Sequence, residues 1–239
     1  MKGTKVSIIT PCLNSKKTIR QTIESVLNQT YENIEYIIVD GGSTDGTLAV
    51  IREYAPLFQG RLKYVSEKDR GIYDAMNKGI RLSTGRMIGI INSDDWYEPD
   101  AVEQIMSEWS WSEKYQVIYG YCKVFENDRI KLIMKNRHEG LPKAMISHPT
   151  CFVTREIYQD FGMFLRAFRI LGDYELMIRL HNSRQVSFIQ VKKILANYRT
   201  GGASDNPKLY AKEYSIVHYL HGLQTFKGML ADLLKLYLC

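Results

Sequence analysis

Two adjacent carboxylates close an apolar run in "MIGIINSDDW" (residues 87–96), where Asp94 and Asp95 follow Asn92 and Ser93 and precede Trp96. Neighbouring aspartates repel, and an extended strand sends them to opposite faces. At a strand end the backbone can turn, so both can serve one ligand. A divalent cation bridges carboxylate and phosphate oxygens. The pair therefore suits Mg²⁺ or Mn²⁺ held by Asp95 with help from Asp94, while the other carboxylate reaches a ribose or sugar. Capping of the following helix is the purely structural alternative, since Asp is common in turns.

A second acid, Asp40, ends "IEYIIVD" and opens "GGSTDGT". Glycines let the backbone approach a ligand closely, and Ser43, Thr44 or Asp45 can cap the next helix. Asp40 either accepts a hydrogen bond from a base or ribose or braces a tight turn. A dinucleotide fold also places an acid here, but it needs G-x-G-x-x-G after its first strand. The first turn, "TPCLNS", has no glycine. That disfavours NAD and FAD and returns pyrophosphate neutralisation to Asp94 and Asp95. In "YRTGGAS" (residues 198–204), Arg199 precedes two glycines; the segment is either a plain loop or a lid whose arginine meets the pyrophosphate. His218 and His221 lie three apart on a helix with no further ligand type beside them, so no metal site is expected there.

The elements that must position these groups alternate. "KVSIIT", "IEYIIVD", "LKYVS" and "RMIGIIN" read as strands. Between them, "SKKTIRQTIESVLNQ", "GTLAVIREYA" and "GIYDAMNKGIRLSTG" read as helices, the last ended by Gly85. This βαβαβαβ order predicts a parallel sheet with helices on both faces, and ligands bind beyond the carboxyl ends of such strands. Every unusual stretch of the first half falls there. "EPDAVEQIMSEW" reads as a helix entered through Pro99, and a hairpin turning at Asn127-Asp128 follows. "HPTCFVT" reads as a strand, "GDYELMIRLHN" as a helix and "VSFIQVKKILANYRT" as one or two strands. Two terminal helices complete the chain. No repeat or linker interrupts it.

The 239 residues carry a net charge of +6, all from the second part: the first hundred residues balance 13 basic against 13 acidic side chains, the rest hold 19 against 13. The basic half therefore meets something anionic. Nucleic acid is not expected, because the basic residues are dispersed and no recognition module is visible. Cys12, Cys122, Cys151 and Cys239 are scattered, which points to buried thiols rather than zinc or disulfides. No apolar run is long enough for a membrane span, and the N-terminus does not read as a signal peptide. A cytoplasmic location is expected. In the final helix Leu223, Phe226, Leu230, Leu233 or Leu234, and Tyr237 form a stripe flanked by Lys227 and Lys235. It packs on the domain or a second subunit, or rests on the inner face of a membrane.

"SIITPCLN", "IIVDGGSTDGT", "EKDRGIYDAMNKGI" and "GIINSDDW", in this order and spacing, resemble the family 2 glycosyltransferases of the GT-A fold, a group that includes bacterial polysaccharide enzymes. "HPTCFVTREIYQDFGMF" and "GDYELMIRL" extend the likeness to about residue 180. The resemblance implies an α/β GT-A domain over 1–205, divided into a nucleotide-sugar half (1–100) and an acceptor half (101–205), with a helical extension at 206–239. It implies that Thr10, Pro11 and Asn14 line the nucleotide pocket, that Asp40 and Asp69 lie near the base, and that Asp94 and Asp95 match the metal and sugar-nucleotide motif. Asn92 departs from the pattern, standing where many members have an acid. Asp173, otherwise a helix cap, becomes the catalytic base that draws a proton from the attacking hydroxyl, with Glu175 as the alternative. His148 and Trp96 fall near the acceptor or donor sugar. The implied activity is transfer from a UDP-sugar, with Mn²⁺ or Mg²⁺ and inversion, to a glycan or polyprenyl-diphosphate-linked hydroxyl. A nucleotidyltransferase would need a glycine- and lysine-rich first loop, which is missing. A silent nucleotide-sugar-binding protein is favoured only by Asn92.

Overall fold

The computed structural model describes residues 3–202 and 205–238, apart from the side chains of residues 237 and 238. The first half runs β1 (Val6–Cys12), α1 (Ile19–Leu27), β2 (Ile34–Asp40), α2 (Thr47–Tyr54), β3 (Leu62–Ser66), α3 (Ile72–Leu82) and β4 (Met87–Ile90). β1, β2 and β4 are buried along their whole length, as strands covered on both faces must be. β1 pairs in parallel with β2 and β4, and β2 with β3, as the alternating pattern predicts. Successive residues serve opposite cores: Ile8 and Ile38 join Ile19, Ile23 and Ile51 of α1 and α2, while Ile9 and Ile37 join Met76 and Ile80 of α3.

The second half runs β5 (Trp96–Tyr97), α4 (Ala101–Glu108), β6 (Gln116–Glu126), β7 (Arg129–Met134), β8 (Phe152–Thr154), α5 (Arg155–Asp160), α6 (Gly172–Ser183), β9 (Ser187–Arg199), α7 (Pro207–Leu220) and α8 (Phe226–Leu238). The sheet order is β3-β2-β1-β4-β8-β6-β9-β5, with β7 paired to β6. β8 joins β4 antiparallel and β6 joins β9 in parallel, so the sheet is mixed. The hairpin turns at Asn127 and Asp128, both with positive φ of 50° and 59°, which suits the twist of the paired strands.

Three expectations change. Gly85 does not end α3, whose C-cap is Ser83; instead a Cβ at Gly85 would strike the backbone of β1 at Lys5 and Ser7, so glycine here serves close approach. The start of "HPTCFVT" is a short 3-10 turn over His148–Thr150, and the strand begins only at Phe152. α4 starts at Ala101 behind an Asp100 cap rather than at Pro99. α8 packs against α7 and leaves Leu223, Phe226, Leu230 and Leu234 exposed. The Tyr237 side chain and Cys239 lie outside the described residues; Cys12, Cys122 and Cys151 are buried free thiols. No described helix is long and apolar enough to cross a membrane.

Candidate active site

The register Cys12↔Asp40↔Ser66 aligns the carboxyl ends of β1, β2 and β3, so their loops converge at one edge. Asp40 sits fully buried beneath them. Its carboxylate accepts hydrogen bonds from Ser43 Oγ, Ser66 Oγ (2.6 Å), Ser43 N (3.1 Å) and Gly42 N (3.3 Å). Burial pushes its pKa up, but these donors outweigh burial and hold it below the usual carboxylate range. Asp40 thus organises the loop, its Oδ2 accepting from three of these donors and its Oδ1 from Ser43 Oγ. Thr10 and Pro11 are likewise buried, Thr10 Oγ1 accepting from Tyr36 Oη at 2.9 Å. Among the expected nucleotide residues, the side chains that reach the surface are Asn14, Ser43 and Asp69. Asn14, in left-handed conformation, donates its N–H to Ser43 Oγ and accepts from Thr44 N, tying the first loop to the second. Asp69 caps the Gly71 amide and lies against Gly41, where a Cβ would collide with its carboxylate.

Residues 92–95 form a turn closed by Asp95 N donating to Asn92 O. The turn does not bring the two acids side by side. Asp95 is fully buried, its Oδ1 accepting from Arg199 N at 2.9 Å and its Oδ2 lying 3.5 Å from Asn92 Nδ2, whereas Asp94 is only partly buried. Asp95 thus pins the end of β9, while Asp94 remains partly exposed. Burial pushes both carboxyls up, and the charge of Asp94 pushes Asp95 further. Asn92 Oδ1 is buried with no donor. The Asp94 carboxylate and the unpaired Asn92 amide oxygen are oxygen donors of the kind that suits a hard cation. Among the described residues no three acids, histidines or cysteines cluster tightly enough to hold a metal alone.

Arg199 reaches this corner through its backbone. Its guanidinium lies 5.1 Å from the Trp96 ring centroid and bonds Gln21 Oε1 at 3.0 Å, with Trp96 also against Phe125. The Arg199 charge eases the ionisation of Asp94, against the upward push of burial. The following loop approaches so closely that a Cβ on Gly202 would lie 3.0 Å from Asp94 Oδ2. Ala203 and Ser204 of the expected lid lie outside the described residues.

Asp173 occupies the first turn of α6, whose cap is Leu171. Tyr73, at the start of α3, donates its hydroxyl to Asp173 Oδ1 at 2.9 Å. Burial first, and the Asp173 charge next, push the Tyr73 phenol well up, so it stays a donor. Because α3 follows the loop that carries Asp69, this bond attaches Asp173 to the same edge of the sheet. Buried His148 senses the Asp173 charge, but burial dominates and lowers its pKa, keeping the ring neutral. Sequence reasoning missed Tyr73, whose place in the first turn of α3 looks like ordinary core. It also missed Glu213 of α7, which accepts from the backbone N–H groups of Arg169, Ile170 and Leu171 at 2.7–3.0 Å and so fixes the approach to α6.

Glu175 is not a spare base. It is buried and bonded by Arg179 at 3.0 and 2.9 Å, with His221 Nε2 3.3 Å away. Burial pushes it up, but His221 and Arg179 prevail and hold it below the usual range. A depressed folded pKa adds stability above the unfolded value of about 4.3, and that gain is lost as the pH falls through the folded value. Calorimetric melting should therefore decline less steeply below pH ~4.3 in Glu175→Gln than in the parent. Parallel acid limbs would show that the cluster contributes nothing. His218, the other helical histidine, bonds the Tyr174 hydroxyl at 3.0 Å.

Residues 7–169 match the family model described as glycosyl transferase family 2. The chain belongs to this family and is a glycosyltransferase. It is 29% identical over 211 residues to a PGL/p-HBAD biosynthesis glycosyltransferase of Mycobacterium bovis, covering 84% of this chain and 78% of that protein. Its fold resembles S. aureus TarS 1–349 in complex with UDP-GlcNAc, with a TM-score of 0.69 and 16% identity over 98% of this chain and 72% of that one. The mannosyltransferase PcManGT from Pyrobaculum calidifontis, in complex with GDP-Man and Mn²⁺, gives a TM-score of 0.66 at 16% identity, over 98% of this chain and 69% of that one. The architecture is the GT-A fold expected from the motifs.

Proposed function

We propose that this glycosyltransferase moves a sugar from a UDP-linked donor to a hydroxyl of a glycan or lipid-linked acceptor, with inversion at the anomeric carbon. The observation that carries this reading is the Asp173 carboxylate, aimed by the Tyr73 hydroxyl from the edge where the nucleotide-facing loops converge. Asn14, Ser43 and Asp69 face the nucleotide there. The acceptor oxygen attacks the anomeric carbon as its proton passes to Asp173. The new C–O bond forms while the bond from that carbon to the diphosphate breaks, and the electron pair leaves with the UDP oxygen. Tyr73 keeps one Asp173 oxygen engaged, which leaves the other to take the proton. Bound Mn²⁺ or Mg²⁺ supplies countercharge to the departing diphosphate, and Asp94 with the unpaired Asn92 Oδ1 are the residues that would hold it. The UDP-GlcNAc complex of TarS and the Mn²⁺ complex of PcManGT support this choice of ligands.

A thermal-shift screen of UDP-, GDP- and dTDP-sugars with Mn²⁺ tests the donor. The UDP-linked members should raise the melting temperature most. A clear preference for another nucleotide would replace UDP, and no stabilisation by any of them would overturn the reading.

A further inference from the structure

We propose that Tyr210 of α7 is the platform on which the acceptor's sugar ring stacks, holding its attacking hydroxyl at Asp173; this rests on the transfer reading above. Tyr210 is 48% exposed yet is not a loose surface residue. Its ring lies on Tyr214 (centroids 6.0 Å apart, planes 16°), and Tyr214 lies on Tyr174 (5.8 Å, 7°). Tyr174 directly follows Asp173, so the foot of this aromatic column belongs to the helical turn that carries the base. His218 buttresses it, 3.9 Å from the Tyr214 ring and bonded to the Tyr174 hydroxyl. Tyr210, Tyr214 and His218 share one face of α7 by their spacing of four. Glu213 anchors the same helix to the backbone just before α6.

The column thus leads from the residue after the base to an aromatic ring that is half open to solvent. The Tyr210 phenol is pushed up by burial first, then by Tyr214 and by the charge of Asp173. Groups flanking a general base meet the molecule that surrenders the proton. A ring face carries negative charge density and suits the polarised C–H face of a pyranose. Beyond Tyr210 a groove of about 360 Å³, lined by Tyr214, Asp232 and Lys235 among others, runs between α7 and α8. It has room for a second unit of the acceptor.

p-Nitrophenyl glycosides of glucose, galactose, N-acetylglucosamine and rhamnose serve as acceptor probes, with UDP release as the readout. For the probe that most accelerates release in the parent, Tyr210→Ala should raise KM about tenfold, with the loss falling on KM rather than kcat. Tyr210→Phe and Tyr210→Trp should restore most of the affinity, because the face and not the hydroxyl does the binding. Calorimetric UDP affinity should be the same in all three. An unchanged KM in Tyr210→Ala, an equal loss in Tyr210→Phe, or no probe accelerating release in the parent would each overturn the platform. If Tyr210→Ala lowers the melting temperature, kcat and UDP affinity together, the ring is merely structural. Failure of the parent to bind UDP at all would instead defeat the transfer reading.

Discussion

Asp173→Asn should lower transfer about a thousandfold while UDP binds as before. The asparagine keeps the shape of the carboxylate and can still accept from Tyr73, but it cannot take the acceptor's proton. The loss should therefore fall on kcat, and UDP titrations by calorimetry should overlay those of the parent. Tyr73→Phe removes only the hydroxyl that holds Oδ1, and its smaller deficit should separate the aim of the base from its chemistry. Retained turnover in Asp173→Asn would remove this residue from the reaction. The buried Glu175 could not replace it, since both its oxygens are engaged by Arg179 and one also faces His221.

The second large effect concerns the acids after β4. UDP should bind at least about tenfold more tightly with Mn²⁺ than with EDTA, roughly 1.4 kcal/mol. Asp94→Asn should erase that difference, whereas Asp95→Asn should keep it. The reasoning is geometric: Asp94 is partly open and short of neutralising partners, while Asp95 is enclosed and occupied by the Arg199 amide. Equal UDP affinity with Mn²⁺ and EDTA in the parent would rule out the cation. If Asp95→Asn instead behaved like Asp94→Asn, the metal would return to the enclosed carboxylate.

The α/β frame was legible because strand and helix periods are local. β1, β2 and β4 announce themselves as short runs rich in β-branched apolar residues, and each is buried throughout. The strand ends were legible for the same reason, and the unusual stretches of the first half fall there. What each side chain does there was not. Asp40 and Asp94 look alike in sequence, yet Asp40 accepts from Gly42, Ser43 and Ser66, whereas burial pushes the Asp94 carboxyl up. Glu175 looked free because its partner His221 arrives from 46 residues away. Glu213 gave no signal, being one acid on an amphipathic helix. The aromatic column did leave a trace, a ring at every fourth residue of α7, but only the fold brings Tyr174 beneath it.

The grip of Glu213 on the amides of residues 169–171 begins where the family match ends, at residue 169. The penultimate helix, read from the sequence as part of an extension, is tied to the turn that leads into Asp173. Anyone grafting this acceptor half onto a different donor half must carry residues 207–220 along with it. A hybrid cut before them would inherit Asp173 without its bearing.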